Sequence, residues 1–290
     1  MSTSYLTPSL VEMAVRAALE EDVGPGDLTA LLVPESPVSA LLVTREDGVL
    51  CGQAWFDAAF RQLDPRCEIL WHAKDTDLVQ AGMALCELRG SARALLTAER
   101  TALNFVQVLS GTATMAHRYA ERVAHTKARI LDTRKTLPGL RLAQKYAVLC
   151  GGCQNHRLGL YDGVLIKENH IAAAGSLEVA LQQAEKVAQG RPVEIEVETL
   201  AQLEKALEAG ATRILLDNFS IENLRAAVGY TRGRALLEAS GGITLANIAE
   251  VAETGVDFIS IGDITKNVRA LDLSLRFTGP ASVAHGERQR

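Results

Sequence analysis

Length, composition and charge narrow the class of protein to which this chain can belong. Its 290 residues are 48% hydrophobic and 22% charged, and 35 acidic against 30 basic side chains leave a formal net charge of −5. This balance is typical of globular proteins, excludes disordered, collagen-like and disulfide-scaffold chains, and argues against a nucleic-acid partner. No apolar run is long enough to cross a membrane and no signal peptide is recognisable, so we expect a cytoplasmic protein that acts on small molecules.

The first 110 residues mix helix and strand. The sequence predicts a helix at 10–20 and strands at 38–43 and 49–52, separated by glycine-containing turns, which is the pattern of a small α+β domain. A long helical segment at 92–124 follows it.

From about residue 128 onward, short runs of Val, Ile and Leu alternate with amphipathic helical segments. Strands are predicted at 129–131, 163–166, 193–197, 213–216, 235–238 and 257–261. Helices are predicted at 176–188, 200–208, 221–227 and 244–253. Apolar strands separated by helices indicate an α/β fold with a parallel sheet covered on both faces, either an open doubly wound sheet or a barrel.

The alternation of strands and helices stops near residue 267. Residues 271–277 alternate polar and apolar side chains like a strand, and we expect this strand to pair with the first domain. One domain is therefore predicted to comprise residues 1–110 joined by 270–290, and the other to comprise residues 111–269.

A basic stretch follows the first predicted strand of the second domain. Against a single acid, Asp162, it contains His156 and the cations Arg134, Lys135, Arg141, Lys145, Arg157 and Lys167. Three of these cations directly follow predicted strands, where α/β proteins bind their ligands. The mixture of guanidinium forks and ammonium groups suits a substrate with several anionic groups. For Arg141 and Lys145, four residues apart on a predicted helix, a solvated helix face is the open alternative.

Carboxylates alternate along the third strand and end the fourth. Glu194, Glu196 and Glu198 share one face of their strand, and Asp217 ends the next strand. Glu196 and Asp217 offer the hard oxygen ligands that Mg²⁺ prefers, beside a substrate diphosphate. Structural ion pairs with the basic stretch are the alternative.

Glycines at the last two strand ends indicate a phosphate site. Ser240-Gly241-Gly242 precedes a helix predicted to begin near Thr244, and Gly262 follows the last strand. Exposed backbone N–H groups at such positions bind phosphate, and in (β/α) barrels the loops after the last strands commonly do so.

The five cysteines are predicted to be free thiols. They are odd in number and irregularly spaced, and Cys150 and Cys153 form a single C-x-x-C without the second pair that a zinc site requires.

Several motifs together resemble a known family. They are Gly26-Asp27-Leu28-Thr29, Glu99-Arg100-Thr101-Ala102-Leu103-Asn104, Asp132-Thr133-Arg134-Lys135-Thr136, Asn155-His156-Arg157, Leu165-Ile166-Lys167-Glu168-Asn169-His170, Glu194-Ile195-Glu196-Val197-Glu198, Leu216-Asp217-Asn218 and Ser240-Gly241-Gly242-Ile243. In this order and spacing they are similar to the quinolinate phosphoribosyltransferase family, over nearly the whole chain. The resemblance implies an N-terminal α/β sandwich, an irregular open α/β (TIM-like) barrel, and a homodimer in which the partner subunit completes each active site.

The resemblance also implies a reaction and roles for individual residues. Quinolinate and phosphoribosyl pyrophosphate would give nicotinate mononucleotide, pyrophosphate and CO₂, with Mg²⁺ as cofactor. The quinolinate carboxylates would be bound by Arg134, His156, Arg157 and Lys167, with Arg100 supplied by the other subunit. The catalytic residues would be Lys135, Lys167, Glu196 and Asp217, of which Glu196 and Asp217 would also serve the metal. The 5-phosphate would be held by Ser240, Gly241 and Gly262.

Two positions depart from the family pattern. Cys153 stands where a third glycine often follows Gly151-Gly152, and Asp263 stands where a small residue often follows Gly262. We expect Asp263 to turn toward solvent or a neighbouring cation, because a carboxylate aimed at a phosphate would repel it. The alternatives are a barrel paralogue acting on another pyridine acid, and a non-catalytic sensor of a phosphate ligand or of thiol oxidation.

Overall fold

The computed structural model describes residues 5–280, and the chain divides into two compact units. The first unit comprises residues up to Thr114 together with those from Arg269 onward, and the second comprises Met115–Val268. Of the segment 270–290 assigned above to the first domain, residues 281–290 lie outside the described part of the chain.

The helices and strands are labelled in chain order. The helices are α1 (Pro8–Val23), α2 (Gln53–Leu63), α3 (Ala92–Val123), α4 (Arg141–Cys150), α5 (Glu168–Ala174), α6 (Leu177–Ala188), α7 (Leu200–Glu208), α8 (Ile221–Thr231), α9 (Ile248–Glu253) and α10 (Asp263–Lys266). The strands are β1 (Pro37–Thr44), β2 (Gly48–Val49), β3 (Glu68–Trp71), β4 (Leu78–Val79), β5 (Ala84–Ser91), β6 (Arg129–Leu131), β7 (Val164–Ile166), β8 (Val193–Val197), β9 (Arg213–Asp217), β10 (Leu236–Ser240), β11 (Phe258–Ser260) and β12 (Leu273–Pro280).

The first unit is built on a four-stranded antiparallel sheet in the order β12-β1-β5-β3. The predicted return strand is confirmed, since β12 pairs with β1 and places Leu275 opposite Leu42. Helix α2, which the sequence analysis did not predict, buries Trp55, Phe56 and Phe60. Burial of these large apolar side chains stabilises a helix whose own local signals are weak.

The second unit is a six-stranded parallel sheet in the order β6-β11-β10-β9-β8-β7. Its first strand, β6, pairs with its last, β11, whereas β6 and β7, consecutive along the chain, do not pair. Pairing of the first with the last strand is the connectivity of a barrel, and the missing β6–β7 pair leaves that barrel open. The predicted irregular open α/β barrel is therefore confirmed.

Hydroxyl side chains mark where several covering helices begin. Ser176, Thr199 and Ser220 precede α6, α7 and α8, and each side-chain oxygen accepts a hydrogen bond from a backbone N–H in the first turn. Such N-caps satisfy donors that the helix itself cannot. The starts of these three helices agree with the sequence-based prediction to within one residue.

Helix α9 is shorter than predicted. It begins at Ile248 rather than near Thr244, because the Thr244 N–H donates to Asn247 Oδ1 (2.7 Å) and closes a turn that delays the helix. The idea that a helix N-terminus directly follows Gly241-Gly242 was wrong.

The longest helix, α3, has 32 residues. Neither it nor any other helix within residues 5–280 combines the length and apolar character needed to cross a bilayer.

Candidate active site

Two guanidinium groups lie close together after β6 and before β7. The Nε–H of Arg134 is buried and has no hydrogen-bond partner among the described residues. Burial and then the nearby positive charge of Arg134 lower the pKa of Arg157, whose Nη1 donates to the Gly163 carbonyl (3.1 Å). The acid of this segment, Asp162, accepts instead from the N–H groups of its own loop at 2.7 and 2.9 Å. The arrangement offers positive charge and an unused donor to an anion.

Both ring nitrogens of His156 have partners within the chain. The Arg157 N–H donates to Nδ1 (2.7 Å), so Nδ1 carries no proton. Nε2 lies 2.9 Å from Glu194 Oε2, which it can reach as a donor. This pattern corresponds to a neutral ring with its proton on Nε2. A substrate carboxylate would have to replace one of these partners in order to bind the ring.

A buried ionic network lies next to His156. Arg213 bridges two carboxylates, with Nε 3.0 Å from Glu194 Oε1 and Nη2 2.7 Å from Glu238 Oε2. Burial, and next the charge of Glu194, raise the pKa of Glu238 to about 7, and its Oε1 has no hydrogen-bond partner in the described chain. Although burial alone would raise the pKa of Glu194, the hydrogen bond from His156 and the charge and hydrogen bond of Arg213 hold it below its usual value.

Three members of this network could also chelate a metal ion. His156, Glu194 and Glu238 bring one ligand atom each within 4.8 Å of one another. The guanidinium of Arg213 already occupies both carboxylates. A cation at this position would have to displace a like charge, so we assign the cluster to structure rather than to metal binding.

Lys145 belongs neither to an open anion site nor to a solvated helix face. Its ammonium pairs with Asp132, and both side chains are fully buried. Asp132 also accepts from the His156 N–H (2.9 Å) and from Asn155 Nδ2 (2.7 Å). Both alternatives stated above for Lys145 were therefore wrong, and the pair instead fixes the backbone that carries His156 and Arg157.

Arg141 is likewise used within the protein. Its Nε donates to Thr136 Oγ1 (3.1 Å), in the loop that follows β6. This contact ties the first turn of α4 to the loop that carries Arg134 and Lys135.

The ends of β7, β8 and β9 bring together a lysine and two carboxylates. Lys167 forms an ion pair with Glu196. Burial, followed by the charge of Glu196, raises the pKa of Asp217, and the positive charges of Lys167 and Lys135 oppose that rise. These groups therefore share one electrostatic environment at the carboxyl edge of the sheet.

A polar cavity of about 490 Å³ adjoins Asp217, and its lining residues also include Lys135, Ser240, Gly241 and Gly262. Gly241 has φ +93° and Gly242 has φ +64°, conformations that favour glycine. A Cβ at Gly262 would lie 3.1 Å from Lys135 Cδ. Backbone N–H groups can therefore approach a ligand closely in this cavity.

The two positions that depart from the family pattern have internal partners. Asp263 accepts a hydrogen bond from the Asn267 amide in an exposed contact, and it is also among the residues that line the polar cavity. Cys153 is buried, its Sγ donates to the Ala116 carbonyl (3.1 Å), and burial raises the pKa of its thiol to about 12. All five cysteines are free, as predicted.

Comparison with known proteins identifies the family. Residues 27–110 match the N-terminal domain of quinolinate phosphoribosyl transferase, and residues 112–276 match its C-terminal domain. The chain belongs to the quinolinate phosphoribosyltransferase family. It is 44% identical over 272 residues to the nicotinate-nucleotide pyrophosphorylase [carboxylating] of Mycobacterium leprae, covering 90% of this chain and 95% of that protein.

Further relatives of this family are equally similar. A probable nicotinate-nucleotide pyrophosphorylase [carboxylating] of Bacillus subtilis is 43% identical over 261 residues, covering 89% of this chain and 90% of that protein. The solved structure of the nicotinate-nucleotide pyrophosphorylase from Francisella tularensis superposes with a TM-score of 0.92 at 47% identity, covering 94% of this chain and 97% of that one.

The expected site residues fall into three groups. Arg134, His156 and Arg157 form one group, and Lys167, Glu196 and Asp217 form the second. Lys135, Ser240, Gly241 and Gly262 line the cavity with Asp217. Arg100 is exposed on α3 in the first unit, and its expected role in the site of the other subunit stays a prediction.

The residues that support these groups were not predicted from the sequence. Asp132, Asn155, Arg213, Glu238 and Asn218 received no role, although three of them lie in the quoted motifs. Several of their partners are distant along the chain, as with Arg213 and Glu238. A charged residue inside an otherwise apolar strand, such as Glu238 in β10, was the available signal.

Proposed function

We propose that this chain transfers the phosphoribosyl group of phosphoribosyl pyrophosphate to quinolinate with loss of CO₂, yielding nicotinate mononucleotide and pyrophosphate in NAD biosynthesis. The observation that carries the proposal is the buried, unpartnered Nε–H of Arg134 beside the like-charged Arg157. Two adjacent carboxylates on one planar ring would supply both acceptors and opposite charge. The relatives' name, nicotinate-nucleotide pyrophosphorylase [carboxylating], describes the same reaction in reverse.

The second substrate would bind across the neighbouring strand ends. Its 5-phosphate would be held by Ser240, Gly241 and Gly262, whose loops line the polar cavity. Lys135 extends along the same cavity and would offset part of the phosphate charge.

Glu196 and Asp217 fit the Mg²⁺ that a diphosphate donor requires. Carboxylate oxygens are its preferred protein ligands, and the charge of Glu196 contributes to the raised pKa of Asp217, a repulsion that a bound cation would relieve. Lys167, which pairs with Glu196 and is 47% exposed, would leave this carboxylate for quinolinate when the cation binds. When bound, Mg²⁺ would offset the negative charge that develops on the departing pyrophosphate.

The chemistry requires no covalent link to the enzyme. The ring nitrogen of quinolinate donates its electron pair to the anomeric carbon while the bond from that carbon to the pyrophosphate oxygen breaks. The carboxylates of Glu196 and Asp217 would stabilise the positive charge that develops on the ribose. In the mononucleotide intermediate, the carboxylate next to the quaternised nitrogen departs as CO₂ and leaves its electron pair on the ring carbon. The positive ring nitrogen stabilises this carbanion until the carbon takes a proton from water. Arg134, Arg157 and Lys167 would hold the carboxylates in place during both steps.

We further propose a homodimer in which Arg100 of one subunit enters the site of the other. Arg100 is exposed on α3, which leaves its guanidinium accessible to a neighbouring subunit. The assignment of residues 1–110 and 270–290 to one domain, and of 111–269 to the catalytic domain, belongs to this proposal. The cytoplasmic location stays a prediction from the sequence.

Product analysis tests the proposed function. The protein is incubated with Mg²⁺, phosphoribosyl pyrophosphate and either quinolinate or nicotinate, and nicotinate mononucleotide and CO₂ are followed together. We expect equal amounts of both from quinolinate and no product from nicotinate. An Arg134→Gln variant should lose this activity, whereas Arg225→Gln, on the exposed face of α8, should keep it.

The same assay addresses the two alternatives. Product from another pyridine acid in place of quinolinate would favour the paralogue, and binding without turnover would favour the sensor. A thiol sensor is already disfavoured, because burial raises the pKa of Cys153 to about 12 and leaves little reactive thiolate at neutral pH.

A further inference from the structure

Asn218 adopts an unusual backbone conformation at the carboxyl edge of the barrel. Its φ is +55°, in the left-handed region, and it directly follows β9. Gln189 and Arg232 also have positive φ, but they end α6 and α8, where such a residue is common. Asn218 ends a strand at a ligand-binding edge, where backbone strain is often functional.

The side chain of Asn218 contacts a carboxylate of the candidate site. Its Nδ2 donates to Asp217 Oδ2 at 2.8 Å. An amide orients the carboxylate without neutralising it, whereas a lysine in the same place would cancel the negative charge. Asp217 thereby keeps its charge available for a cation.

Asn218 also contacts the glycine loop that follows β10. Its backbone N–H donates to the Ser240 carbonyl at 2.9 Å. A Cβ added at Gly241 would lie only 2.1 Å from Asn218 Oδ1 and 3.0 Å from its backbone nitrogen. The two residues therefore pack directly against each other, and the position of one determines the position of the other.

We propose that Asn218 is a positioning residue that couples the Asp217 carboxylate to the Ser240-Gly241-Gly242 loop. Asn218 thereby sets the distance between the part of the site that binds the diphosphate of phosphoribosyl pyrophosphate and the part that binds its 5-phosphate. This inference rests on the proposed function, since it assumes a ligand with two anionic ends that are recognised at neighbouring strands. Binding of quinolinate by Arg134 and Arg157 does not depend on this coupling.

Three variants separate the backbone role of Asn218 from its side-chain role. Asn218→Gly keeps the left-handed conformation and removes the amide. Asn218→Asp keeps the shape, removes the donor and places a second carboxylate beside Asp217. Gln189→Gly is the matched control, because Gln189 has a similar φ of +50° at the end of α6, outside the candidate site.

Binding is measured by titration calorimetry with phosphoribosyl pyrophosphate and Mg²⁺, with ribose 5-phosphate alone, and with quinolinate alone. For Asn218→Gly we expect the Kd of phosphoribosyl pyrophosphate to rise about tenfold or more, as for loss of a hydrogen bond to a charged group. The Kd values of ribose 5-phosphate and quinolinate should change about twofold at most, and Tm should match that of Gln189→Gly. Asn218→Asp should weaken donor binding further, because the added carboxylate would repel the negatively charged diphosphate of the donor.

Other outcomes would overturn the inference. If Asn218→Gly binds phosphoribosyl pyrophosphate with wild-type affinity, Asn218 is only a turn residue. If the variant loses affinity equally for ribose 5-phosphate and for phosphoribosyl pyrophosphate, Asn218 acts on the phosphate loop alone. Equal weakening of all three ligands with a lowered Tm would indicate a purely structural role. Failure of the wild-type protein to bind or convert the donor would instead reject the proposed function itself, and this is read from the wild type alone.

Discussion

The carboxylate of Asp132 and the ammonium of Lys145 form an ion pair in which neither side chain is exposed to solvent. The same carboxylate accepts a hydrogen bond from the backbone N–H of His156. The ion pair therefore anchors the loop that carries His156 and Arg157, two of the residues expected to bind quinolinate. Removing one partner of such a pair leaves an uncompensated charge in the interior.

We therefore expect Lys145→Met to lower the free energy of unfolding by about 3–5 kcal/mol. Lys127→Met is the matched control, because Lys127 forms an ion pair with Asp257 at 2.8 Å but is 64% exposed. Its substitution should change the free energy of unfolding by about 1 kcal/mol at most. Denaturant titration measures both, and equal effects would contradict the structural role assigned to Lys145.

Glu238 makes stability depend on pH in the neutral range. Its pKa is about 7 in the folded chain against an ordinary value of 4.5. Between these values the folded chain retains a proton that the unfolded chain has released, so the stabilisation is complete below pH 4.5 and is lost as the pH rises through 7. The groups that face it are Glu194, His156 and Arg213.

Glu238→Gln should remove this dependence. We expect the free energy of unfolding of the wild type to fall more steeply between pH 5 and 7 than that of the variant, by about 1.4 kcal/mol per pH unit at most. Glu250→Gln, on the exposed side of α9, should stay within about 0.5 kcal/mol of the wild type at each pH. Parallel curves for the wild type and Glu238→Gln would show that Glu238 does not bind this proton.

Lys167 is expected to be essential for turnover and dispensable for folding. It lies at the end of β7, is 47% exposed and pairs with Glu196. Lys167→Ala should lower kcat/KM for quinolinate about 100-fold, as loss of a preorganised charge does in other enzymes, without lowering Tm. Lys205→Ala, an exposed substitution on α7, serves as the control, and unchanged kinetics in Lys167→Ala would remove Lys167 from the site.

Subunit mixing tests whether Arg100 acts across a dimer. Arg100→Ala and Lys167→Ala should each have little activity alone. Random exchange would place one intact site in each heterodimer and restore about one quarter of the wild-type activity. Absence of recovery after exchange has been verified by mass spectrometry would contradict a shared site.

Removal of divalent metal tests the role proposed for Glu196 and Asp217. We expect excess chelator to abolish turnover and added Mg²⁺ to restore it, because the diphosphate leaving group then regains its counter-charge. Full activity in the presence of chelator would reject this role.

The pattern of strands and helices was largely evident from the sequence, because it depends on local periodicity. Strand β8 was predicted to the residue, and β9 to within one residue at its end. Parallel strands present their carboxyl ends at one edge, so the approximate gathering of Lys167, Glu196 and Asp217 could also be expected before the structure.

What the sequence could not decide depends on contacts between distant residues. The alternation of Glu194, Glu196 and Glu198 does not say that Glu194 is buried beside Arg213 while Glu198 is exposed. Because of the turn between Thr244 and Asn247, α9 begins later than the periodicity of the sequence predicts.

The sequence by itself determined the family, the α/β class and the strand ends at which the chemistry was sought, because motifs and periodicity are properties of neighbouring residues. Only the tertiary structure decided that Lys145 is a buried structural cation and that Asn218 packs against Gly241. Burial and close packing depend on which residues the folded chain brings together across many intervening positions, and no local pattern records that.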